Sequence, residues 1–156
     1  AHQAVGGFNP ALRYVVDWEF WVRLASQWPL AWRATPTVDV RWHAASETHR
    51  FKKGVVDLDE SRALLERILL QLRDGAEADA ELEADAYRKL ARAYLNRAYD
   101  ASTGGDGQLA RRCLAEATRL SPGILLSLGR DPRLALRMAL VAATPRRSAR
   151  WLARQD

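Results

Sequence analysis

The chain holds a single cysteine in 156 residues, so no intramolecular disulfide can staple it. That residue, Cys113, sits in Leu109-Ala110-Arg111-Arg112-Cys113-Leu114, the setting of a buried helical position rather than of a nucleophile. No apolar run approaches the roughly 20 residues that span a bilayer as a helix. The first residues also lack the basic-then-apolar design of a signal peptide. A reducing, cytoplasmic setting is the expectation that follows. Neither sign of charge dominates: 24 Lys and Arg face 19 Asp and Glu, for a net charge of +5. Such a balance permits contact with phosphates or acidic lipid without selecting between them, and with no nucleic-acid-binding motif beside it no nucleic-acid partner is expected. Strand signals are missing beyond Ser46. The 48% of hydrophobic residues suffices for a core, in one ordinary domain or two very small ones.

Tryptophan, by contrast, is concentrated. Five of the six (Trp18, Trp21, Trp28, Trp32 and Trp42) fall within residues 6–43, among acids, arginines and a histidine. Gly6-Gly7-Phe8-Asn9 reads as a loop whose glycines take backbone conformations closed to other residues or come close to a ligand. From Asp17 the spacing turns helical, with Phe20, Trp21, Leu24 and Ala25 on one face and Pro29 as the stop. Asp17 then stands at the helix start, where an aspartate cap contributes about 1 kcal/mol. The same placement, aimed into a cleft, suits a general base that takes a proton from a hydroxyl. Glu19 and Arg23, four apart, read as a surface ion pair worth a few tenths of a kcal/mol. Trp18 and Trp21 read as cleft wall and core. Residues 30–33 read as a short strand and Thr35-Pro36 as a break. Residues 37–43 read as a second strand, with Val38, Val40 and Trp42 alternating against Thr37, Asp39, Arg41 and His43. Arg41 and His43 would share one face, as two groups meeting a phosphate or a metal must; a neutral imidazole is a sound ligand for transition ions.

The order Gly6-Gly7-Phe8-Asn9, then Asp17-Trp18-Glu19-Phe20-Trp21-x-Arg23-Leu24, then Arg41-Trp42-His43, resembles the second half of the catalytic domain of family 2 glycosyltransferases of the GT-A type. It covers about the first third of the chain. The resemblance implies an inverting transfer of a sugar from a nucleotide-sugar donor to a hydroxyl on a carbohydrate or lipid-linked acceptor. It implies Asp17 as catalytic base; Gly6, Gly7, Trp18 and Arg41 at donor or acceptor; and His43 at the donor diphosphate and its divalent metal, Mn or Mg. Where the family has a Glu before the base, this chain has Val16. The family's Asp-x-Asp metal motif precedes the glycine loop, and Asp57-Leu58-Asp59 is better explained as helix-start acids. On this reading the chain is a C-terminal fragment, inactive without a nucleotide-binding half.

Beyond Ser46 the pattern is helical. Leu58, Leu65, Ile68, Leu69 and Leu72 mark one amphipathic helix, closed by Asp74-Gly75. Leu82, Ala86, Leu90, Ala93 and Tyr94 mark a second over 79–101. Residues 103–107 read as a flexible break, and Ala110, Cys113, Leu114 and Ala117 mark a third helix. The last two resemble one tetratricopeptide hairpin with an overlong linker; a lone hairpin is not a repeat array. Asp131-Pro132 and Thr144-Pro145 each open a helix, the first with Leu134, Leu136, Met138 and Leu140. Arg146, Arg147, Arg150 and Arg154 around Trp151 and Leu152 would suit peripheral contact with an anionic membrane face. The expected class is therefore α+β, mainly helical. Residues 1–50 would be the remnant of a GT-A α/β domain, short strands plus one helix, and 51–156 an all-α bundle. The competing function is a helical, tetratricopeptide-like protein-interaction module without chemistry.

Overall fold

Apolar residues three and four apart build helices through most of the chain, and the computed structural model describes residues 2–41, 43, 50–51, 54–74, 79–130 and 132–143. They fall into two compact units, Ala1–Gly75 and Ala76–Asp156. Among the described residues no helix is long and apolar enough to cross a membrane.

The first unit contains α1 (His2–Val5), α2 (Val16–Ala25) and α3 (Val56–Asp74). Its apolar core gathers Val15, Phe20, Val55, Leu58, Leu64 and Leu69. The Phe8 ring lies 4.8 Å from that of Phe20, and Tyr14 meets Phe51 edge-on at 5.9 Å. Helix α2 ends as the N–H groups of Gln27 and Trp28 both close onto the Leu24 carbonyl. Pro29, lacking an N–H, cannot extend it. On α3 the buried stripe runs through Leu58, Leu64 and Leu69, with Leu65 and Ile68 half-buried and Leu72 on the exposed side. Asp57 and Asp59 occupy the first turn of α3.

Two expectations fail here. The strands expected at 30–33 and 37–43 are not seen: residues 29–41 and 43 are irregular, Trp42 lies outside the described residues, and no strand occurs among the described residues. The α+β class, with its GT-A remnant of short strands, is therefore replaced by an all-α one. Alternation supplies a strand with two faces but not with a neighbour, and a strand's N–H and C=O groups need a neighbour to bond. Leu30, Trp32, Val38 and Val40 are accordingly all at least 75% exposed. The second failure is the apolar face of α2. Phe20 is buried and Leu24 half-buried, but Trp21 and Ala25 are exposed, and the inward position is taken by Glu19.

The second unit contains α4 (Ala80–Thr103), α5 (Gly107–Leu120), a 3-10 stretch (Pro122–Arg130) and α6 (Pro132–Ala143). Asp79 caps α4, accepting from the N–H groups of Glu81 and Leu82 at 2.8 and 3.2 Å. Asp106 caps α5 by accepting from Leu109 N–H at 2.9 Å. The two helices pack through a seam of small residues (Ala91, Ala98, Ala110, Cys113 and Ala117) around Tyr94 and Leu95, all essentially buried. Full burial of a residue the size of Leu95 contributes roughly 1.5–3 kcal/mol. Leu82, expected on this face, is instead exposed. Helix α6 adds Met138 and Val141 to the core, and Arg137 donates to Asn96 Oδ1 at 3.0 Å while lying over the Tyr99 ring at 5.0 Å. Leu136, expected inside, is exposed. Gly75 and everything after Ala143, including the arginines at 146–154, lie outside the described residues.

The link expected to be long and flexible is tight. Only Gly104, Gly105 and Asp106 separate α4 from α5, with the Asp106 N–H donating to Ala101 O at 2.8 Å. Gly105 sits at φ +85°, where an added Cβ would meet nothing within 4 Å. Gly105→Ala therefore isolates backbone strain from steric clash. We expect it to lower the stability of the second unit by about 1–2 kcal/mol, read as a shift in the urea midpoint by circular dichroism. An unchanged midpoint would mean the turn relaxes without cost.

Candidate active site

Helix α2 has two faces with different work. Outward, Asp17 lies one turn from Trp21 and next to Trp18, and the two tryptophans are 59% and 63% exposed. Large indoles left this open are unusual, since exposed apolar surface on a folded chain is the informative exception. Tyr14, Val15, Asp17 and Trp18 line a shallow depression of about 220 Å³. That is smaller than the roughly 300–1,000 Å³ of a typical small-molecule site, so it has room for a single ring rather than a whole nucleotide-sugar. Asp17 is not the helix cap: Val15 holds that position and Asp17 is the second residue of α2. Its Oδ1 accepts from the Trp18 N–H at 2.9 Å, which holds the carboxylate against its own turn.

Inward, α2 is held by charge. Glu19, with 3% of its side chain exposed, accepts from Arg23 Nε at 2.9 and 3.1 Å, from Arg23 Nη2 at 3.0 Å and from Arg67 Nη2 of α3 at 2.8 Å. This is not the surface pair the spacing suggested. Burial alone would raise the Glu19 carboxyl, but the hydrogen bonds and positive charges of Arg23 and Arg67 outweigh it and hold the group below its ordinary 4.5. Arg23 also donates to the carbonyl oxygens of Val5 and, at 2.8 Å, Gly7. Its guanidinium lies over the Phe20 ring at 5.3 Å. Gly6, between those two carbonyls, sits at φ +77°, in the left-handed region that favours glycine. Gly7 has an ordinary φ and open space around it. The glycine loop and the Asp-Trp-Glu helix, ten residues apart in sequence, are thus joined by one arginine.

The turn leading into α2 is set from α3. Glu60 Oε2 accepts from the N–H groups of Arg13, Tyr14 and Val15 at 3.1, 2.7 and 3.2 Å, and Oε1 from Arg13 at 3.0 Å. Glu60 and Arg67 stand two turns apart on α3, and with Ala63, Leu64, Leu12 and Glu19 they line a second depression of about 220 Å³.

Gly6, Gly7, Asp17 and Trp18 are therefore brought onto one framework. Arg41 and His43 are not: both are exposed on the irregular segment, and no described hydrogen bond or depression links them to α2. Without a pleat, nothing sets them on a common face. Among the described residues no three His, Cys, Asp or Glu side chains gather as a metal site. Of the expected metal ligands, His43 is the one that this segment carries, and the resemblance places the Asp-x-Asp carboxylates ahead of the glycine loop. Sequence reasoning missed Tyr14, Glu60 and Arg67, and placed Trp21 inside. The one signal for the α3 pair was its seven-residue spacing, which puts both groups on one helix face. Set against known proteins, the chain matches no family model, no curated protein and no solved structure.

Proposed function

We propose that the first unit is the acceptor side of an inverting sugar transferase resembling family 2, with Asp17 as general base. The observation that carries this is the outward face of α2: a carboxylate beside two exposed indoles, on a helix whose other face is fixed by buried charge. An indole offers a flat apolar surface to the C–H face of a sugar ring, and the carboxylate accepts a hydroxyl proton at its edge. In the reaction the acceptor oxygen bonds to the anomeric carbon and the bond from that carbon to the diphosphate oxygen breaks. The electron pair leaves with the diphosphate, and the hydroxyl proton passes to Asp17. Because Oδ1 is engaged with Trp18 N–H, Oδ2 takes the proton. For the diphosphate the resemblance alone offers Arg41 and His43, which no described contact joins to α2. The divalent metal, whose Asp-x-Asp ligands the resemblance places ahead of the glycine loop, would neutralise charge on the leaving diphosphate.

The resemblance assigns the donor nucleotide to sequence preceding the glycine loop, so two measurements are needed. Calorimetry of this chain with uridine, guanosine and thymidine diphosphate sugars, with and without manganese, should show no micromolar binding. The longest product of its reading frame should transfer sugar from one of them. Micromolar binding by the chain, or no transfer by the longer product, would sink the reading. A second reading, a protein-interaction module, draws on the second unit, where Leu126 and Leu136 are 85% and 63% exposed beside a closely packed hairpin. That reading requires no transfer at all.

A further inference from the structure

We propose that Glu60 and Arg67, both on α3, are positioning residues for the Asp17 site, so that its geometry depends on a helix outside the segment that resembles the transferase. The proposal rests on Asp17 being the base. Val15, at the N-cap of α2, has no side-chain acceptor to offer, and no side-chain cap bond is made there. The amides just ahead of the helix turn instead to Glu60, whose Oε2 lies 2.7–3.2 Å from three successive N–H groups. Convergent backbone N–H groups of this kind form an anion-binding concavity, and a charged acceptor makes each bond stronger than its neutral counterpart. Two of the three residues so held, Tyr14 and Val15, line the depression together with Asp17 and Trp18. Four residues past the Val15 cap, about one turn, Arg67 grips Glu19 at 2.8 Å. Two contacts from one rigid helix, one at the turn into α2 and one on its first turn, fix both its position and its rotation about its axis. The rotation decides whether Asp17 and Trp18 face outward. Neither α3 side chain lines the Tyr14–Trp18 depression, so their effect passes through backbone and Glu19.

The test separates placement from chemistry. In the chain itself, amide exchange at Arg13, Tyr14 and Val15 is expected to be slow, to accelerate at least tenfold in Glu60→Ala, and to return most of the way in Glu60→Gln, whose amide oxygen can still accept. Exchange in the middle of α3, at residues 64–69, serves as the internal control for folding of the first unit. Exchange at residues 13–15 unchanged by Glu60→Ala overturns the proposal. In the longer product, Glu60→Ala should lower kcat by up to roughly 10²-fold, the scale of a small misplacement of a catalytic group, with little change in donor KM and with recovery in Glu60→Gln. Arg67→Met should act in the same direction. An unchanged kcat in Glu60→Ala also overturns the proposal. Absence of transfer by the unsubstituted product would instead remove Asp17 as base, and the exchange data would still decide whether Glu60 sets the turn.

Discussion

Asp17→Asn, in the longest product of the reading frame, is expected to reduce sugar transfer by roughly 10²–10⁴-fold, the range lost when a positioned general base is removed. Donor KM should change little, because Asp17 lies in the depression formed with Tyr14, Val15 and Trp18, which is assigned to the acceptor. An interaction made mainly in the transition state lowers kcat and kcat/KM together, whereas loss of ground-state binding raises KM alone. The substitution is mild for the fold. Asp17 is exposed, it is not the cap of α2, and its one recorded bond, from the Trp18 N–H, can be accepted equally by an asparagine oxygen. Near-normal turnover with unchanged circular dichroism would reduce Asp17 to a first-turn acid. Asp17→Glu separates the two roles further, since it keeps the base but moves it by one methylene along a helix that does not move.

How much of this could be read from residues alone depends on what kind of interaction decided each element. Helices α2, α3, α4 and α5 follow from local spacing, and their existence was legible because a helix satisfies its own backbone. The strands at 30–33 and 37–43 were not, since alternation at Val38, Val40 and Trp42 describes a face for a sheet without supplying one. The tight Gly104–Asp106 link was misread as flexible because three glycines in a row of five residues suggest freedom. Only the φ of +85° at Gly105 and the Asp106 cap show that one glycine is used for its conformation. At the site, the outward carboxylate and the glycine loop were legible as motifs. The link between them was not. Glu19 occupies an inward position because two guanidinium groups neutralise it, one of them 48 residues away on α3. Counting apolar residues cannot foresee a buried charge, so Trp21 was given the inward place that Glu19 holds.

That buried carboxylate sets the largest expected stability effect. Arg23→Met should destabilise the first unit by about 2–3 kcal/mol at neutral pH. Removing one partner of a buried ion pair typically costs 3–5 kcal/mol, and the lower figure follows because Arg67 remains and the Arg23 side chain is 28% exposed. Methionine keeps much of the aliphatic stem but removes the guanidinium over Phe20, so the loss reports charge, that cation–π contact and hydrogen bonding, including the bonds to the Val5 and Gly7 carbonyls. The effect carries a pH signature. Glu19 in the folded chain is held below its ordinary value of 4.5, so the stability it contributes is fully present above about that pH and is lost as the pH falls through its folded value. The gap between parent and Arg23→Met should thus be wide at pH 7 and smaller at pH 3. Tryptophan fluorescence is the suitable probe, since five of the six tryptophans belong to the first unit and only Trp151 to the second. Urea midpoints followed by fluorescence at both pH values decide the matter. A gap of equal size at pH 7 and pH 3 would place the stabilisation in packing or in the carbonyl bonds of Arg23, and would leave Glu19 as a carboxylate whose burial contributes nothing to holding α2.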